Sequence, residues 1–129
     1  MVRLHCVFVA LPPRHNTISH YSFYFQRKAK EMKESDFQKK MIDEIQEAFP
    51  DAIIMKNDAR YLLGVPDITV LYHSKWAFLE CKKEKWARRQ PLQEDYVTYA
   101  DTWSFGAFVY PENWDETRST LFDFLADDE

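Results

Sequence analysis

Glycine is almost missing from this chain: two in 129 residues, Gly64 and Gly106. With so little glycine, and no internal repeat or low-complexity tract, the sequence has no room for a flexible Gly-rich linker. Cysteine is equally sparse. Cys6 and Cys81 do not make a disulfide framework, and neither has a metal-ligand partner nearby, so a reducing, cytoplasmic setting is the expectation. No run approaches the ~20 apolar residues that a membrane span needs, so no membrane partner is expected. Positive charge is not in excess either. A net charge of −4 argues against a simple cationic coat protein for nucleic acid.

What is present is apolar and aromatic. A hydrophobic content of 46%, with 16% aromatics, is ample for a packed interior, and the length suits one domain with one core. The charges are unevenly spread. Lys82, Lys83, Lys85, Arg88 and Arg89 fall within eight positions, while acids gather at 43–51 and in the C-terminal tail. Such a basic run on an acidic protein is either a solvated face or a local grip for phosphates.

Residues 1–31 stand apart as a leader. VRLHCVFVAL and YSFYF read as strand-like pieces around the turn-like PPRHNTISH. The opening has one basic residue and a short apolar core but no convincing small-x-small cleavage site, so it reads as a strand or a disordered leader. From residue 32 the pattern sharpens into a single domain running to 129. Phe37, Met41, Ile45 and Ala48 recur at helical spacing and the pattern stops before Pro50. AIIMK reads as a strand, NDARYLLG as a loop, and DITVLY and KWAFLECK as two strands around His73-Ser74. Gln90-Pro91 opens a second helix in which Leu92, Tyr96, Tyr99 and Trp103 repeat at four, three and four; this stripe is expected to be packing rather than a recognition surface. GAFVYP is a strand, and 112–125 a last helix. The order α-β-β-β-α-β-α predicts an α/β fold with a mixed central sheet flanked by helices.

The chemistry concentrates in GVPDITVLYHSKWAFLECKK. A two-residue loop at His73-Ser74 pairs Tyr72 with Lys75 and, counting outward, Asp67 with Glu80. Directly opposed cross-strand residues have Cβ atoms ~5 Å apart, and like charges so placed destabilise a sheet. A divalent cation with oxygen ligands would offset that repulsion. A solvated edge hairpin carrying a Glu80–Lys82 ion pair is the plainer alternative. Strand alternation puts Lys82 on the face of Glu80 and turns Cys81 to the other, where Ala77, Leu79 and Cys81 can pack under a helix. Gly64 marks a backbone that needs unusual freedom just before Val65-Pro66-Asp67.

Pro66-Asp67 followed by Glu80-Cys81-Lys82 resembles the signature of the PD-(D/E)XK nuclease superfamily. ESDFQ is similar to the helical E-x-x-x-Q that precedes the motif in VRR-NUC and related phage and resolvase-type nucleases, and GVPDI is a common wording of the motif there. PLQEDYVTYADTWSFGAFVY resembles the downstream helix-and-strand segment, with Gln93 in the glutamine position. The resemblance covers about 32–125. It implies a restriction-endonuclease-like core with a Mg²⁺ or Mn²⁺ site on Asp67, Glu80 and the Cys81 carbonyl, joined by Glu34 directly or through water. Lys82 would position or help deprotonate the attacking water, and Gln93 and Gln38 would orient the site or touch the DNA backbone. Lys83, Lys85, Arg88 and Arg89 are placed to grip phosphates.

The function expected is therefore metal-dependent hydrolysis of DNA, with branched, flapped or junction DNA favoured because so small a chain lacks a separate sequence-reading module. Junction resolution would need a homodimer. The competing expectation is a catalytically silent module that keeps the fold and binds nucleic acid or protein.

Overall fold

A computed structural model describes residues 32–128; the strand-like readings at 2–11 and 21–25 lie outside them. The described elements are α1 (Glu34–Ala48), β1 (Ile53–Lys56), β2 (Ile68–Tyr72), β3 (Lys75–Cys81), α2 (Pro91–Trp103), β4 (Phe105–Val109) and α3 (Trp114–Ala126). They form the expected α/β arrangement, a four-stranded mixed sheet in the order β1-β2-β3-β4 with three helices. The first three strands are antiparallel neighbours, and β4 joins β3 in parallel through the α2 crossover. None of the described helices is long and apolar enough to cross a membrane.

Alternation along the strands sorts the two faces of the sheet. Ile68, Val70, Ala77, Leu79 and Cys81 are buried in one cluster with Phe37, Met41 and Ile45 of α1 and Trp114, Leu121 and Leu125 of α3. The three α1 residues are four apart, which keeps one face of that helix on the sheet. Glu34 and Asp36 in the first turn suit the positive end of the helix dipole. At its far end Gln46 Nε2 donates to the carbonyls of Pro50 and Ala52 at 3.0 and 3.2 Å, closing the turn into β1.

The opposite face belongs to α2, which approaches it unusually closely. A Cβ on Gly106 would lie 2.3 Å from the Val97 carbonyl oxygen and 2.8 Å from Ala100 Cβ, so only glycine in β4 lets the helix lie this close. Val97 and Ala100 are the buried residues of α2. This corrects the packing expectation for Leu92, Tyr99 and Trp103, while Tyr96 is half-buried and meets Phe78 edge-on with ring centres 6.4 Å apart. The small residues face the sheet, and Leu92, Tyr99 and Trp103 are turned outward and exposed.

Candidate active site

The site lies where β2 begins and β3 ends. The hairpin turns on His73 and Ser74, with His73 in the left-handed region at φ 54°, and Tyr72 pairs with Lys75 and Ile68 with Leu79. One step beyond the ladder, Asp67 and Glu80 face each other as the register requires. Each carboxylate accepts a main-chain hydrogen bond from the other strand: Cys81 N donates to Asp67 Oδ2 at 2.8 Å, and Asp67 N to Glu80 Oε2 at 3.1 Å. These two bonds lock the acids together at a height where strand pairing has ended.

Glu80 is 2% exposed. Burial first, and the charge of Asp67 second, push its pKa up to about 7; Lys82 acts against both. Lys82 Nζ stands 3.4 Å from Glu80 Oε1, on the same face as alternation demands. Gln93 joins the two. Its Nε2 donates to Glu80 Oε1 at 2.5 Å, while its Oε1 accepts from Lys82 Nζ at 2.7 Å. The same Oε1 accepts from Gln90 N at 3.2 Å, as part of the capping box that starts α2. Gln93 is thus both the third residue of a helix and a bridge between an acid and a base.

Cys81 points into the core, with its Sγ 3.9 Å from Met41 Sδ. Burial, followed by the charges of Asp67, Glu80 and Glu34, raises the thiol far above its ordinary range, so it is an inert packing group. Only its main chain faces the site. Glu34 opens α1 and is half-buried. No hydrogen bond joins Glu34 to Asp67 or Glu80, and among the described residues no group of three or more His, Cys, Asp and Glu side chains is placed to hold a metal ion.

Gln38 needs a correction as well. It sits at i+4 from Glu34 on the inward side of α1 and is 8% exposed, so its side chain is not offered to a DNA backbone. Lys83, Lys85, Arg88 and Arg89 are all exposed on the segment between β3 and α2, directly after Lys82. Lys85 Nζ lies 5.0 Å from the Trp86 ring centre, and the Arg89 guanidinium 4.1 Å from that of Phe108.

Two features around the motif complete the geometry. Gly64 has φ 82°, and a Cβ there would fall 2.4 Å from Leu92 Cβ. Both its φ and this contact require glycine, and together they seat the 57–66 loop against the first turn of α2 beside Gln93. The second is Asn57, which the sequence pattern assigns only to a loop. Its main-chain N donates to Asp67 O at 2.8 Å, and its Nδ2 donates to Pro66 O at 2.8 Å and Thr69 Oγ1 at 2.7 Å. One residue at the end of β1 thereby holds the peptides on both sides of the Asp67 Cα. Asn57→Ala is expected to cost about 1–2 kcal/mol in urea unfolding, because two buried acceptors lose their donor; unfolding free energies within 0.5 kcal/mol of the parent would show that the clamp carries little.

Two carboxylates and a main-chain carbonyl are hard oxygen donors, the set that suits Mg²⁺ or Mn²⁺. Asp67 Oδ1 accepts no hydrogen bond from the described residues, which leaves one carboxylate oxygen available. With Lys82 beside them, the residues present fit a hard divalent cation facing an anionic ligand. No protein-family model, curated protein or solved structure matches the chain.

Proposed function

We propose that this chain is a metal-dependent endonuclease of the PD-(D/E)XK type, built on a restriction-endonuclease-like core, that hydrolyses phosphodiester bonds in DNA. The observation that carries the reading is the opposition of Asp67 to the buried Glu80, with Lys82 on the same face. Two like charges held together by main-chain hydrogen bonds and half buried in protein destabilise the fold unless a cation offsets them.

Asp67, Glu80 and the Cys81 carbonyl would hold Mg²⁺ or Mn²⁺, which when bound supplies positive charge at the phosphate undergoing attack. Lys82 keeps its ammonium between Gln93 and Glu80, where it can orient an attacking water or pair with a phosphate oxygen. Gln93 fixes the direction of both groups. The exposed Lys83, Lys85, Arg88 and Arg89 would draw the DNA backbone towards this end of the sheet, an attraction that weakens steeply with salt. No further domain is present in the described residues to read a base sequence, which favours recognition of branched or flapped DNA by shape.

The test is a panel of linear, single-stranded, flapped and four-way DNA incubated with the purified full-length chain and Mg²⁺ or Mn²⁺. Cleavage that stops on adding EDTA and returns with metal is the expected result. A chain inert on every member of the panel would sink the proposal, and metal-independent DNA binding in that chain would support the silent module instead.

A further inference from the structure

We propose that the chain pairs with a second copy of itself through the outward face of α2, the two helices running antiparallel across a twofold axis. The helix carries two different faces. Val97 and Ala100 serve its own sheet, where Gly106 permits close approach. Leu92, Tyr96, Tyr99 and Trp103 form the other, and their spacing of four, three and four is that by which one helix packs along another. Tyr99 is 58% exposed and Trp103 72%. A shallow, almost wholly apolar groove of about 360 Å³ runs between Leu92, Asp95, Tyr96 and Tyr99.

The apolar surface continues onto the sheet. Tyr99 lies tilted against Trp76 with ring centres 6.2 Å apart, and Trp76 is in register with Leu71 and that with Ile53. Leu71 and Ile53 are also exposed, the latter by 60%. At these exposures the side chains leave on the order of 600 Å² of apolar surface, at the upper end of what a monomer shows and near the ~800 Å² each partner gives to a stable interface.

Of the acids of α2, Glu94 and Asp101 lie on the side of the helix away from the stripe, and Asp95 at its edge falls opposite Ala100 in the antiparallel register, so no like charges meet across the twofold. The stripe is also nearly symmetric about its midpoint. Laid antiparallel on its copy, it sets Leu92 against Trp103 and Tyr96 against Tyr99, a self-complementary contact closed by a twofold. This inference does not rest on the nuclease reading, since it is tested without substrate or metal.

Sedimentation equilibrium of the full chain at tens of micromolar should give about twice the 15.5 kDa chain mass. Trp103→Glu and Leu92→Lys should each reduce this to the monomer mass with an unchanged far-ultraviolet circular dichroism spectrum. In the antiparallel pair those two positions face each other, so the double variant should recover the dimer. A parent chain that sediments as a monomer, or a dimer indifferent to Trp103→Glu, overturns the proposal. A double variant that stays monomeric overturns the antiparallel register. A monomer whose nucleic-acid affinity, rather than mass, falls with Trp103→Glu would assign the face to nucleic acid instead.

Discussion

Replacing Asp67 with asparagine is expected to abolish cleavage while making the metal-free protein more stable. Asparagine keeps the acceptor for Cys81 N but removes the charge that faces Glu80. In the parent, Glu80 is raised from 4.5 to about 7 by burial and then by Asp67. An acid raised on folding contributes its stability in full below the unfolded value of 4.5, and that stability is lost as pH rises through about 7. The parent should therefore weaken between pH 5 and 8 in EDTA. Asp67→Asn should weaken less, ending about 1 kcal/mol above the parent at pH 8, since the burial contribution remains. Activity should fall by roughly a thousandfold or more, on the scale of losing a group that supports charge in a transition state. The rise in melting temperature on adding Mg²⁺ should vanish with it. Parent-like cleavage by Asp67→Asn would remove Asp67 from the site. Lower stability at every pH would show that the two acids do not repel each other appreciably.

The largest loss of stability is expected at Trp114, at the opposite side of the sheet from the site. Its side chain is 1% exposed and meets Phe37 edge-on, with ring centres 6.5 Å apart. Its Nε1 donates to Glu44 Oε2 at 2.5 Å, and Arg118 donates to the same oxygen at 2.9 Å. Trp114→Ala should cost about 3–5 kcal/mol, from lost burial and the cavity left behind. That is a large share of the ~5–15 kcal/mol that holds a domain of this kind. Trp114→Phe should cost visibly less, while still leaving Glu44 short of one donor. Glu44 is pushed up by burial, but the hydrogen bonds from Trp114 and Arg118 outweigh this and hold its pKa below 4.5. Its stabilisation is present above that value and lost as pH falls below it. Denaturation melts at pH 3 and 7 would check this, with Glu44→Gln expected to show the smaller difference between them.

How far the site could be read in advance differs from residue to residue. The pairing of Asp67 with Glu80 follows from one count, a two-residue turn, because antiparallel register is fixed by the loop that closes it. The placing of Lys82 with Glu80, and of Cys81 in the core, follows from alternation alone. Asn57 left no such trace. Its partners, Pro66 and Thr69, are nine and twelve residues away, and an asparagine before a turn-rich stretch has the same composition whether or not it clamps anything. The orientation of α2 is hidden in the sequence for another reason. A heptad-like stripe looks alike whether it packs on its own sheet or on another helix, and the small face of Val97 and Ala100 is quiet on any hydrophobicity scale. Gly106 was the available clue, since a glycine inside a strand marks a backbone that something approaches closely.

Gln93 has one more implication. A single amide oxygen receives both the N–H of Gln90, the residue that caps α2, and the ammonium of Lys82, while the amide nitrogen of the same group is spent on Glu80. The beginning of the helix and the protonation of the acid are thus wired to the same three atoms. Whatever changes the charge on Glu80 must be felt in the first turn of α2, one residue from Leu92, and hydrogen exchange at that turn becomes a gauge of the site read from the backbone.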